Sequence, residues 1–383
     1  MKKIFKPKKI IKNQQYDAYW KLTVEYTDIF DRRFNNTLKI IVTFIDENKL
    51  TNSKYDPKLY KKLQDKISNV FPKSDKASVR KSINQFVKIG FIFPYLKGYH
   101  KLTKKFLNTT NPDEKKSIFS KIFYECSSFN SSVTNDQTNT RETNFLLKTL
   151  SYKPNKILSK QDIIGLMVTP AISEIKKGYL TEYELTEQYN YAKAIHFEEK
   201  KYNQIRYLFT FLSLMPNIIA DKRKGISFMN PDEVSIDSTR DPILYNIYKS
   251  DLKKESIRIY GKEVCYLEKK QYKGLICSHI KDSSVCLSEG DIDSAYDYNN
   301  GLLLQPNLDA YFDKYNISFK DDGNILINDS EIKDIDILQE LRNLKLDDKL
   351  LTQERLKYLN WHRNQFFKKA KIDKHEEKEQ INS

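Results

Sequence analysis

Between residues 76 and 89 the apolar positions Val79, Ile83, Phe86 and Val87 recur at i, i+4, i+7 and i+8, which puts them on one face of a predicted helix. Ser74 or Asp75 can cap its start, and Gly90 ends it. Residues 91–95 and 99–103 then read as two short β arms around Leu96-Lys97-Gly98, followed by Lys101, Lys104 and Lys105. Helix, hairpin and basic segment in this order predict a winged-helix unit. Opposite its apolar face the helix carries Ser78, Lys81, Ser82 and Gln85, with Arg80, Asn84 and Lys88 at the flanks. Hydroxyl, amide and cationic groups of this kind can hydrogen-bond base edges and phosphates, although an ordinary solvated face has the same composition. Upstream, residues 16–70 read mainly as helices, broken near Asn35 and Asn36 and again at residues 51–53.

Residues 126–144 are the most polar and least periodic run, and read as a linker or exposed loop. A second unit of the same layout follows. Ser159 can cap a helix containing Ile163, Ile164 and Leu166, and a helix near 202–214 buries Ile205, Leu208, Phe209 and Leu212. A second hairpin has arms at 217–220 and 226–229 and the tip Lys222, Arg223, Lys224 and Gly225. Three adjacent cations suit phosphates, and Asn203, Gln204 and Arg206 stand on the preceding helix. The predicted organisation is a recognition domain at 1–125, a linker at 126–144, a second recognition domain at 145–235, a catalytic domain with trailing helices at 236–371, and a disordered tail at 372–383.

The pattern changes after residue 264. Leu275-Ile276-Cys277-Ser278-His279-Ile280 reads as a strand ending in histidine, and Asn300-Gly301-Leu302-Leu303-Leu304 as a second strand after a polar loop. Pro306 or Asn307 opens a short helix with the body Leu308-Asp309-Ala310-Tyr311-Phe312-Asp313. A hairpin follows around Asp321-Asp322-Gly323. The fold class predicted for the whole chain is α+β, mostly helical at first, ending in a strand–strand–helix domain of the ββα-metal kind and a helical tail.

Composition sharpens this picture. The 383 residues include 25 Tyr and 21 Phe, enough apolar bulk to exclude global disorder despite 31% charged residues. Net charge is +15, which points to a polyanion. Its distribution is uneven: residues 261–330 hold seven Lys against twelve Asp and Glu, so that segment is acidic and the remainder carries +20. Four cysteines without C-x-x-C spacing argue against a disulfide framework or a four-cysteine zinc site. No run approaches 18 apolar residues and no apolar core follows the basic start, so a cytoplasmic protein without membrane partners is expected.

The candidate chemistry lies in the acidic segment. An imidazole titrating near neutrality can take a proton from water, which assigns His279 as general base. Asp309 and Asp313, at i and i+4, repel each other on one helix face unless a cation lies between them, and oxygen donors favour Mg²⁺ or Mn²⁺ over zinc. The Asn300 amide can join the loop after His279 to the second strand and so orient the imidazole.

Ser-His-Ile, Asn-Gly-Leu-Leu-Leu and Leu-Asp-x-x-Phe-Asp resemble a branch of the HNH nucleases, over about 70 residues, with Cys265 where that branch often has a lone cysteine. The resemblance implies His279 as general base, Asn300 as structural asparagine, Asp309 as helix metal ligand, Asp313 as a second ligand used by some members, and one Mg²⁺ or Mn²⁺ per site. Many members place a further ligand, Asp or His, where this chain has Ser278, and a hydroxyl is a poor ligand for a hard cation. Two winged-helix-like units ahead of a C-terminal HNH domain resemble type II restriction endonucleases, particularly type IIS. This implies double-stranded DNA as substrate, a cognate DNA methyltransferase in the same cell, and transient dimerisation or sequential nicking for a double-strand break. Two further functions stay open: a modification-dependent HNH endonuclease, and a winged-helix regulator with an inactive HNH remnant.

Overall fold

Asp31 starts the first helix by accepting hydrogen bonds from the Arg33 and Phe34 amides, and α1 (Arg32–Glu47) then buries Phe34, Leu38, Ile41 and Ile45. The structure is a computed structural model describing residues 19–72, 75–169, 172–234 and 240–370. The expected disordered tail at 372–383 lies outside them. The fold is mixed α+β, as read from the sequence, and divides into two units, residues 1–237 and 238–383.

In the first unit α1 is followed by α2 (Pro57–Val70), α3 (Lys76–Lys88), α4 (Thr103–Asn108), α5 (Pro112–Cys126) and α6 (Glu142–Tyr152). The expected break near Asn35 and Asn36 is absent. Asn35 turns its amide back to the Ile29 and Asp31 carbonyls and so supports the first turn of α1. The expected hairpin at 91–103 is reduced to one isolated bridge, Ile92 to Tyr99. Residues 94–96 form a short 3-10 turn, with Tyr95 and Leu96 both in the left-handed region at φ 61° and 57°. Two consecutive left-handed residues cannot extend a strand.

The polar run at 126–144 is not a linker. Ser127, Ser128, Phe129, Ser131 and Val133 are buried, and hydroxyls replace a hydrophobic pattern as the glue: Ser127 bonds Thr143, and Ser128 bonds Ser131 and the Gln137 carbonyl. Rings on either side of this run meet directly. Phe119 and Phe123 each lie 5.5 Å from Phe211, and Trp20 packs edge-on against Phe129. The described parts of 1–125 and 145–235 therefore share one core.

The rest of this unit runs β1 (Ile157–Leu158), α7 (Lys160–Met167), α8 (Glu182–Ala194), α9 (Phe197–Leu212), β2 (Ile218–Asp221) and β3 (Gly225–Phe228). Ser159 caps α7 in a reciprocal capping box with Asp162. The hairpin read at 217–229 forms as β2 and β3, and β1 adds a third antiparallel strand in the order β1-β3-β2. Gly225 is required where β3 passes β1: its φ is +110°, and a Cβ would sit 2.0 Å from the Leu158 carbonyl oxygen.

The second unit begins with α10 (Pro242–Tyr260), capped by Asp241. It continues with β4 (Ile276–His279), α11 (Ser283–Ser288), α12 (Ile292–Ala295), β5 (Gly301–Leu304), α13 (Pro306–Asp313), the hairpin β6 (Ile317–Phe319) and β7 (Ile325–Ile327), α14 (Ile335–Arg342) and α15 (Gln353–Ala370). β4 and β5 pair antiparallel, with His279 opposite Gly301 and Ser278 opposite Leu302. α10 packs on β5, α13 on β4, and α15 on β6. A buried ion pair ties the ends of the unit together: Arg355 on α15 holds Glu255 on α10 at 2.7 Å and also donates to the Leu350 and Tyr298 carbonyls. Tyr266 donates to the same carboxylate at 2.8 Å. Removing one partner of such a pair strands a buried charge, a loss of about 3–5 kcal/mol.

Candidate active site

His279 ends β4 with its ring buried. Its Nε2 lies 3.1 Å from the Ala295 carbonyl oxygen. A carbonyl oxygen only accepts, so Nε2 carries the proton and Nδ1 keeps its lone pair. Tyr248 stacks on the imidazole at 4.4 Å and 10°, and Tyr245 lies parallel to it at 6.3 Å. Tyr248 is fixed at its far end, where its hydroxyl donates to the Ser278 carbonyl at 3.1 Å. Burial dominates the titration of His279 and lowers it to about 4; the Ala295 bond opposes this, and the Arg240 charge adds to it. The imidazole is therefore neutral at physiological pH.

Gly301 makes room for this stack. A Cβ there would sit 2.4 Å from the Tyr248 hydroxyl and 2.7 Å from Leu252, so any side chain would push Tyr248 off the imidazole. Asn300 is fully buried and closes the loop between the strands. Its Oδ1 accepts from the Lys281 amide at 2.7 Å, and its Nδ2 donates to the Lys281 and Ser294 carbonyls, both at 2.9 Å. Ser294 precedes Ala295, so this amide anchors the segment whose carbonyl holds His279.

Asp309 and Asp313 stand on α13. Burial raises the Asp309 carboxyl above its ordinary range, and its Oδ1 is buried with no hydrogen-bond partner. Asp313 is raised to about 6 by partial burial first and by the Asp309 charge second. Ser278 donates its hydroxyl to Asp313 Oδ1 at 3.3 Å, so among the three expected metal-site residues it acts toward a carboxylate. Among the described residues no three His, Cys, Asp or Glu side chains gather to hold an ion by themselves. Two carboxylates, one with an orphaned buried oxygen, still fit a small divalent cation, which keeps several waters and takes remaining ligands from a substrate phosphate.

Sequence reasoning missed Tyr245 and Tyr248, and with them Arg240. The i, i+3 spacing of the tyrosines on α10 was a signal only of a helix face. His362 on α15 serves packing: it is buried against Phe312, ring centroids 3.9 Å apart, and bonds Ser318 and the Phe312 carbonyl.

The residues expected to touch DNA divide sharply. On α3, Ser82 donates to the Val79 carbonyl, Gln85 accepts from the Glu25 and Tyr26 amides, Lys88 donates to the Phe129 carbonyl, and Asn84 accepts from the Val133 amide. Ser82, Gln85 and Lys88 are buried, because chain segments near residues 25 and 130 lie over the polar face. Gln85, Lys88 and Asn84 thus anchor covering chain while Ser82 turns back to its own helix, and the three buried groups cannot enter a groove. Arg80 is exposed, while Ser78 and Lys81 are half-buried, Lys81 pairing with Glu25. In the second part of the unit Gln204 is buried, whereas Asn203 and Arg206 on α9 are exposed. Lys222, Arg223 and Lys224 are all exposed at the β2–β3 turn, where Asp221 accepts from the Arg223 and Lys224 amides.

Residues 262–320 match the HNH_2 family, described as HNH endonuclease. The match spans β4, β5, α13 and β6, so the chain carries an HNH endonuclease domain in its C-terminal half. No curated protein sequence matches the chain. No helix among the described residues is long and apolar enough to cross a membrane.

Proposed function

We propose that the protein is a sequence-specific double-stranded DNA endonuclease of the type II restriction kind, with a type IIS separation of reading from cutting. The observation that carries the nuclease reading is a neutral imidazole, pinned through Nε2 to the Ala295 carbonyl, on the strand that packs against the carboxylate helix α13. Attack forms an oxygen–phosphorus bond and breaks the bond to the 3′ oxygen, while the proton of the attacking water passes to His279 Nδ1. The 3′ oxygen leaves with the bonding pair and takes a proton from solvent, so the ends left are 5′-phosphate and 3′-hydroxyl. When bound, Mg²⁺ or Mn²⁺ supplies positive charge beside the phosphate and the leaving oxygen, and Asp309 and Asp313 would hold it. Charging a buried imidazole is unfavourable, and the nearby phosphate offsets that loss. The Tyr248 stack and the Asn300 bonds keep the ring in one tautomer and orientation.

Binding falls to the first unit, since the acidic nuclease segment repels phosphates and the rest of the chain carries the positive excess. Its β2–β3 hairpin, preceded by α9, extended by β1 and turning through a tip of three exposed cations, supports a winged-helix contact through Asn203, Arg206, Lys222, Arg223 and Lys224. One site cuts one strand, so a transient homodimer or two successive nicks complete the break. A host methyltransferase would protect the cell's own sites.

Plasmid DNA incubated with Mg²⁺ and sequenced at the fragment ends tests this. Cuts at a fixed offset from one sequence are expected, and loss of cutting in His279→Ala. Random nicks would remove sequence specificity, and unchanged cutting by His279→Ala would remove the base. Charge reversal at Lys222, Arg223 and Lys224 is expected to reduce the salt slope of binding by up to about 3. An unaltered slope would take the hairpin out of the interface.

A further inference from the structure

Arg240 directly precedes the residue that caps α10, and nothing in the sequence singles it out. Its guanidinium lies over the Tyr245 ring, 5.4 Å from the centroid, and Tyr245 in turn lies parallel to the His279 imidazole. The Arg240 side chain is exposed and hydrogen-bonds the Tyr245 side chain, and no ion pair joins it to a carboxylate among the described residues. A guanidinium held by a ring face keeps most of its N–H donors free for an oxyanion. Its charge acts on both His279 and Asp313, so it stands within electrostatic reach of the base on one side and the carboxylates on the other. A phosphodiester under attack must lie in that same space.

Charge balance gives this position a task. Two ionised carboxylates, Asp309 and Asp313, cancel the charge of one divalent cation, while a phosphoryl transition state carries about two negative charges. A further cation is needed to stabilise it. Resting on the nuclease reading, we propose that Arg240 is a catalytic residue whose guanidinium donates hydrogen bonds to the non-bridging oxygens of the scissile phosphate. Tyr245 acts as the platform that aims it: the ring holds the cation without neutralising it, as a carboxylate would.

The test compares Arg240→Ala and Arg240→Lys with wild type and His279→Ala on one duplex in Mg²⁺. Arg240→Ala is expected to lower kcat by about 10²-fold or more, with KM changed less than about threefold, as for loss of one oxyanion donor. Lysine should recover about tenfold, and guanidinium ion added to the buffer should restore Arg240→Ala but not His279→Ala. Sulfur at one non-bridging oxygen should narrow the gap between wild type and Arg240→Ala. A variant cutting within threefold of wild type, a rise in KM alone, or equal loss in both variants without guanidinium rescue would overturn the assignment. A wild-type chain that cuts no DNA with any divalent cation overturns the nuclease reading itself, and that result is read without any variant.

Discussion

Replacing Asn300 by alanine removes three hydrogen bonds in a site with no access to water: the Lys281 amide loses its acceptor, and the Lys281 and Ser294 carbonyls lose their donor. At about 1 kcal/mol for each bond, and more where the stranded group stays dry, the loop between β4 and β5 should lose about 3 kcal/mol. A domain stable by about 5–15 kcal/mol survives that loss, so Asn300→Ala should stay folded while its catalytic loop opens more often. Opening releases the Ala295 carbonyl from His279, freeing ring orientation and tautomer together. A misplacement of that order costs about 10²-fold in rate. Amide hydrogen exchange followed by mass spectrometry over residues 276–304 should show about 10²-fold faster exchange, and kcat measured in the same buffer should fall about as far. Exchange and cleavage both within threefold of wild type would refute the reasoning. Asn300→Asp retains the acceptor but sets a carboxylate against two carbonyl oxygens, and should be at least as damaging.

Two further outcomes follow from buried carboxylates. Asp309→Asn should abolish cleavage yet raise the melting temperature of the metal-free protein by about 2–4 °C, on the order of 1 kcal/mol, because a desolvated carboxylate with an unpartnered oxygen becomes a neutral amide able to donate to Asp313. A lower melting temperature would contradict the claim that this carboxylate is unfavourable without its cation. In the first unit, burial outweighs the bond from the Phe129 amide and the Lys88 charge, and holds Glu142 at about 7 against an ordinary 4.5. The folded chain thus retains a proton that the unfolded chain gives up between those values, so this contribution is full below pH 4.5 and declines as pH rises to 7. Guanidinium unfolding at pH 5 and pH 7.5 should show the difference, and Glu142→Gln should flatten it; an equal pH dependence in the variant would assign the effect elsewhere.

The second unit was the more legible because its chemistry is local. His279, Asn300, Asp309 and Asp313 fall within 35 residues, so strand alternation and helical spacing were enough to place His279 on β4 and both aspartates on α13, while Asn300, read as the first residue of the second strand, ends the 3-10 turn just before β5. The polar face of α3 shows where such reading stops. A serine, glutamine and lysine opposite an apolar stripe look alike whether they face water or cradle another backbone, and the segments that cover them come from 41 to 60 residues away. The run at 126–144 misled for a related reason: hydroxyl pairs such as Ser127 with Thr143 hold it inside, leaving no apolar period to detect. At Tyr95 and Leu96 the left-handed backbone was invisible because neither residue type favours it. Arg240 and Tyr245 were missed because their meaning is a position relative to His279, which spacing along α10 does not contain.

The Glu255–Arg355 pair couples the maturation of the HNH domain to the arrival of α15. The acid is translated before the histidine strand and its partner 100 residues later, so a nascent chain that already displays the imidazole still holds a buried carboxylate without its counter-ion. The HNH domain would then be complete only when α15 has left the ribosome and docked, long after the first unit has been free to fold. Half-built copies of the domain would stay unfinished because of the order in which two charges are born.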